Sequence, residues 1–143
     1  MPGLDRAFAE LTADECEMLL EHATVCHFKS GDIIIEQGSP HNYLYVLRAG
    51  NARVLQHSYD ESNVEFTGPL GPGDLFGEMS FMDGKNASAT LVADGDTEAL
   101  KFNRDDIRSL VDTDARMGMR FYQSLLLTMC KRLRATNIRV NPV

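Results

Sequence analysis

At 143 residues, with 43% apolar and 24% charged side chains and only 11 glycines and 5 prolines, the chain has the makings of one folded domain. That composition excludes a disordered, collagen-like or low-complexity protein, and 14 basic against 21 acidic groups, a formal charge of −7, exclude a binder that coats nucleic acid with its whole surface. No apolar run approaches a membrane span and the acidic start has no basic-then-apolar leader, so the expected setting is the cytoplasm.

In chain order, residues 4–22 place Leu4, Ala7, Phe8 and Leu11, then Cys16, Leu19 and Leu20, at helical spacing in two pieces. Thr12 is placed to cap the second piece, and Glu15 completes a capping box. From residue 24 the grammar changes. Short β-branched or aromatic runs at 24–28, 32–36, 43–48, 53–57, 64–67, 89–92 and 97–102 are cut by glycine-bearing turns, among them Ala49-Gly50-Asn51 and Asp94-Gly95-Asp96. Short strands at such intervals, with no helices alternating between them, predict a β-sandwich or barrel over 24–103.

The helical pattern returns over 104–137. Asn103 caps a short helix running through Asp112, and Asp112 or Thr113 caps a long amphipathic one from Asp114 to about Thr136, about 35 Å in length. On it Ala115, Met119, Tyr122, Leu126, Met129 and Leu133 recur at alternating steps of four and three, the a/d seam of a coiled coil. Phe121 and Leu125 widen the stripe enough to serve both its own domain and a second copy, so the seam predicts a homodimer. The whole chain, 1–143, reads as a single α+β domain, mainly β.

Charge is unevenly divided: residues 1–113 carry 8 basic and 20 acidic side chains, whereas 114–143 carry 6 and 1. The basic tail reads first as a solvated helix face. Cys16, Cys26 and Cys130 lie in no C-x-x-C spacing and read as free buried thiols, and His22, His27, His41 and His57 are too scattered to build a metal site. No nucleophile elbow, zinc-protease, phosphate-loop or calcium-loop motif is present, and the chain reads as no enzyme.

The informative stretch is Gly73-Asp74-Leu75-Phe76-Gly77-Glu78-Met79-Ser80, followed by a short helical turn and Ala87-Ser88-Ala89-Thr90-Leu91-Val92-Ala93. Upstream stand Lys29-x-Gly31-Asp32, Gln37-Gly38 and Tyr45-Val46-Leu47 with Gly50. In this pattern, over most of its length, the chain resembles the cyclic-nucleotide-binding domain of the catabolite activator protein superfamily. The resemblance implies a double-stranded β-helix, or jelly roll, with N-terminal helices and two C-terminal helices. It also implies a ligand cassette made of Gly77, Glu78, Met79, Ser80, Ala87, Ser88 and Ala89, holding cAMP or cGMP and no other cofactor. The chemistry is coherent: a glycine turn into a helix offers N–H groups to a phosphate, and Glu78 can accept a ribose hydroxyl.

One part of the family's pattern is missing. Its Pro-Arg falls on Asn86-Ala87, so the guanidinium that would pair with the phosphate is replaced by a methyl group. Losing a charge-assisted pair is worth about 1.5–3 kcal/mol, roughly ten- to more than a hundredfold in affinity. Lys85 is the cation inside the cassette and the candidate charge substitute; Thr128 and Arg132 of the last helix are candidate base contacts. The expected function is a non-enzymatic regulatory domain that binds cAMP or cGMP weakly and signals through its last helix to an unidentified protein partner. The alternative is a degenerate pocket that binds no cyclic nucleotide and serves as an interaction or dimerisation module, or that senses another small anion. With only Ile138 to Val143 beyond the long helix, no helix-turn-helix and no direct DNA contact is expected.

Overall fold

Capping chemistry sets the helices where the sequence places it. The computed structural model describes the backbone of residues 4–57 and 64–140 and the side chains of 4–56 and 69–135. After α1 (Leu4–Ala7), helix α2 (Ala13–Leu20) starts on Thr12, whose side chain accepts from the Glu15 N–H while the Glu15 carboxylate accepts from the Thr12 N–H, the reciprocal box expected. Asn103 likewise caps α4 (Arg104–Asp112) by accepting from the N–H groups of Asp105 and Asp106. The long helix α5 (Ala115–Val140) departs from expectation at its start: Asp114, rather than Asp112 or Thr113, accepts from the N–H groups of Arg116 and Met117.

The strands are β1 (Ala23–Phe28), β2 (Ile33–Ile35), β3 (Tyr43–His57), β4 (Val64–Leu70), β5 (Leu75–Phe76) and β6 (Thr90–Asn103), with the short helix α3 (Glu78–Asp83) between the last two. All pairings are antiparallel, in the order β1-β6-β3-β4, with β2 added to β6 and β5 to β3. The α+β, mainly β, roll with flanking helices is as the sequence predicts. Two predicted turns are not chain reversals, however. Ala49-Gly50-Asn51 lies within β3 and Asp94-Gly95-Asp96 within β6, so four expected runs fuse into two long strands paired across shifts in register. The reason is local. Gly50, at φ 82°, bends its strand where a Cβ would lie 2.3 Å from the Asp96 carbonyl oxygen, so the kink brings the two strands together instead of parting them.

Period-two alternation buries both faces of the central pair. Leu44 and Val46 of β3, with Leu100 and Phe102 of β6, face the helices and join Phe8, Leu19, Ile107, Met117, Phe121 and Leu125. Tyr45, Leu47, Leu91 and Ala99 face the interior of the roll with Ile35, Phe76 and Ala87. Phe121 stacks on Phe8 at 5.4 Å and meets Phe81 of α3 at 5.7 Å, so one ring joins α3 and α5 to the turn that follows α1.

Helix α5 therefore has two separate faces. Met117, Phe121 and Leu125 turn inward and do not also widen an outer seam, whereas Met119, Leu126 and Leu133 are 63%, 60% and 61% exposed, with Tyr122 and Met129 half-buried beside them. The cysteines also differ from expectation: Cys16 is buried, Cys26 half-buried and Cys130 exposed on α5. Among the described residues no helix is long and apolar enough to cross a membrane.

Candidate functional site

The cassette begins where β5 ends. Gly77 takes φ 84° to turn the chain into α3, and a Cβ there would lie 2.7 Å from His41 Nε2 and 2.8 Å from the Tyr43 carbonyl oxygen. Only glycine fits both the angle and the space. Helix α3 then carries Glu78, Met79 and Ser80 past the mouth of the roll while Phe81 anchors it in the core. Its last turn is held from α4: Arg104 Nε donates to the Phe81 carbonyl at 2.9 Å, and Arg108 Nη2 donates to the Phe81 and Met82 carbonyls at 3.2 Å each. Cations at these C-terminal carbonyls are favourable by charge as well as by hydrogen bonding.

The chain returns through residues 85–89. Ala87 is 7% exposed and its backbone is tied on both sides, its N–H donating to the Ser39 carbonyl at 2.9 Å and its carbonyl accepting from the Gly38 N–H at 2.8 Å. Ser88 Oγ donates to Met79 Sδ at 3.8 Å, and Thr90 Oγ1 accepts from the Gln37 N–H at 2.9 Å. Lys85 is exposed, its N–H donating to Asp83 Oδ1 at 2.9 Å.

Together these segments enclose a concavity of about 700 Å³. Gly77, Glu78, Met79, Ser80, Ala87, Ser88 and Ala89 all line it, as do Thr128 and Arg132 of α5; Lys85 is not among the lining residues. Across from the cassette the roll contributes Ile35, Val54, Leu70 and Leu91, and α5 adds Leu127 and Lys131. The carboxylate of Glu78, 5% exposed, accepts from Arg132 Nη1, and Arg132 Nη2 also donates to the Leu75 carbonyl. A third cation on the wall, Arg6, faces Asp74 Oδ1 at 3.3 Å and donates to the Pro72 carbonyl at 3.0 Å.

Behind Gly77, His41 stacks on Tyr45, which stacks on Phe76. His41 Nε2 is buried without a hydrogen-bond partner, and burial lowers the basicity of the ring more than the Tyr43 carbonyl restores it, with nearby Lys101 adding to the depression. Burial also pushes the Tyr45 hydroxyl up to about 12.

Sequence reasoning identified Arg132 as a base contact and missed it as the partner of Glu78, because the two lie 54 positions apart and no local spacing links them. It also missed Lys131, His41 and the Arg104–Arg108 clamp. The i, i+4 placement of the two arginines on a helix face was a signal available for the last.

Comparison with known proteins follows this geometry. The family model described as "Cyclic nucleotide-binding domain" matches residues 25–114. The cyclic GMP-binding protein C of Dictyostelium discoideum is 26% identical over 125 residues, 87% of this chain and 5% of that protein. The cyclic AMP receptor protein of Thermus thermophilus is 29% identical over 134 residues, 94% of this chain and 60% of that protein. The crystal structure of the catabolite activator protein from Thermus thermophilus superposes with a TM-score of 0.81 at 29% identity, covering 95% of this chain and 62% of that one. The chain thus spans less than two thirds of the length of each of these relatives.

Proposed function

Because the chain belongs to the cyclic nucleotide-binding domain family, within the catabolite activator protein superfamily, we propose that it is a non-enzymatic sensor of a small ribose-bearing ligand. The ligand sits in the concavity between the cassette and α5, and its presence is read out by the position of α5. The observation that carries this reading is the contact of Arg132 with Glu78. It fastens the long helix to the one cassette carboxylate able to accept a ribose hydroxyl. A ligand that engages Glu78 therefore meets α5 in the same place, and it acts on the helix only through its different affinity for the two positions.

The ligands of the relatives named above make cAMP and cGMP the first candidates. Ala87 in place of the phosphate arginine makes their binding weak, by about ten- to a hundredfold against a site that has it. The exposed row of Met119, Leu126 and Leu133 supports self-association along α5, with Tyr122 and Met129 at its margin. A protein partner would be reached through the same helix.

Calorimetric titration with cAMP and cGMP tests the reading. Weak binding is expected in the parent, and binding tighter by about tenfold or more in Ala87→Arg, where the charge-assisted pair is restored. Absence of heat and of any thermal shift at millimolar ligand, in parent and variant alike, would leave the second reading, an interaction module on an inherited scaffold. That second reading draws on the same Ala87 and on Arg132 already filling the Glu78 contact. Sedimentation of Leu126→Lys checks the helix face: a dimeric parent and a monomeric variant are expected, and a monomeric parent refutes it.

A further inference from the structure

We propose that the ligand of the concavity is an uncharged ribonucleoside, bound in preference to its 3′,5′-cyclic monophosphate. This rests on the concavity being a ribose site, as read above, and concerns what the ligand carries besides the ribose.

The first argument is the charge of the walls. Among the described lining residues the ionic groups are Arg6, Asp74, Glu78, Lys131 and Arg132. Each guanidinium already faces a carboxylate, Arg6 that of Asp74 and Arg132 that of Glu78, so neither pair presents net charge to a ligand. Lys131 of α5 is the remaining cation of the lining, but it is exposed and screened by water, and the body that surrounds the site is acidic, with 8 basic against 20 acidic groups over residues 1–113. A dissolved anion gains little from one screened lysine in that field.

The second argument is the surface that a cyclic phosphate would touch. The methyl groups of Ala87 and Ala89 and the thioether of Met79 form it, and the Ser88 hydroxyl donates to that thioether. Ala87 cannot turn another group toward the ligand, because its N–H and carbonyl are both held by residues 38 and 39. An anion placed there can meet the N–H groups where Gly77 turns into α3 but no cation from the cassette, so it surrenders its water for neutral donors alone, whereas a neutral hydroxyl gives up far less.

The third argument is what the site does offer. A carboxylate beside a guanidinium provides acceptor and donors together, the complement of a vicinal diol whose hydroxyls each donate and accept. On the roll side Ile35, Val54, Leu70 and Leu91 supply an apolar bed for a heterocyclic base. Diol recognition, an apolar base bed and an uncharged phosphate wall together describe a nucleoside.

The test is calorimetry on the full chain with adenosine, guanosine, cytidine, uridine, 2′-deoxyadenosine, 2′-deoxyguanosine, cAMP and cGMP. Adenosine or guanosine is expected to bind tighter than its cyclic monophosphate by about tenfold or more, to lose about tenfold in its 2′-deoxy form, and to be insensitive to salt. Ala87→Arg should shift the ratio toward the cyclic monophosphate by about tenfold or more. A parent that binds cAMP or cGMP as tightly as the nucleoside overturns the inference and leaves the ribose site standing. Equal affinity for the 2′-deoxy form removes the diol argument and with it the proposal. Folded protein that binds none of these compounds at millimolar concentration sinks both this inference and the reading beneath it.

Discussion

Glu15→Gln isolates the contact that fastens the first half of α5. Arg120 Nη2 and Nε donate to Glu15 Oε2 and Oε1 at 2.5 and 2.8 Å, a bidentate pair between α5 and α2. That guanidinium is the main reason the Glu15 carboxyl is lowered from 4.5 to about 2, against the opposing effect of burial. Converted at about 1.4 kcal/mol per pKa unit, the shift sets a ceiling of about 3 kcal/mol. Water reaches the pair from the Arg120 side, where the side chain is 29% exposed, and screening reduces the expected contribution to about 1–2 kcal/mol. The glutamine oxygen still accepts from the Thr12 N–H, so the cap survives, while its amide nitrogen cannot accept from Arg120 Nη2, so the variant removes the charge and one hydrogen bond of the pair. Because the folded pKa is depressed, the stabilisation is complete above 4.5 and is lost as pH falls from 4.5 toward 2. Urea unfolding of parent and variant across that range should show a difference of about 1–2 kcal/mol near neutrality that shrinks on acidification. A difference below about 0.3 kcal/mol near neutral pH, or one that grows in acid, would refute the reasoning.

Gly77→Ala should disrupt the cassette: the left-handed angle alone costs about 1–2 kcal/mol, and the new methyl group would overlap His41 Nε2 and the Tyr43 carbonyl, so a lowered melting temperature and lost ligand heat are expected together. His41 should be neutral at physiological pH. Because burial depresses its folded pKa below 6.5, the fold should lose stability as pH falls beneath 6.5, and NMR titration of the imidazole should find it protonating later than that reference. Phe121→Ala, which opens a cavity among Phe8, Phe81 and Phe102, should cost about 3–5 kcal/mol in urea unfolding.

What could be read beforehand follows the range over which each signal acts. Thr12 with Glu15, and Asn103 before Asp105 and Asp106, are local chemistry within one turn, and the structure places them as expected. Alternation located the runs that form β1, β2, β3, β4 and β6. It could not say whether Gly50 and Gly95 reverse the chain or bend it, because both outcomes need the same positive φ and only pairing with a distant strand decides. The two-residue strand Leu75–Phe76 was invisible for the same reason: it is a strand only because β3 lies beside it. The cassette was legible as a consecutive pattern, whereas Arg132 on Glu78 and the α4 arginines on the α3 carbonyls join segments that share no spacing.

These long-range contacts also define what can move. The first half of α5 is fixed by Arg120 on Glu15 and by Phe121 between Phe8 and Phe81, neither of which lines the concavity. The later half meets the cassette through Arg132, and its outward side carries Leu126 and Leu133. A ligand that engages the Glu78–Arg132 pair would therefore act beyond Leu125, on the part of the helix whose exposed row is proposed to meet a second copy. Helix α3 is meanwhile held by Arg104 and Arg108, so a shift of the cassette would be passed to α4 at the root of α5. Both routes end on the same helix. By linkage, whatever factor the ligand imposes on self-association, self-association must impose on ligand affinity, and the dimer and the monomer would bind with different strength whenever the ligand moves α5.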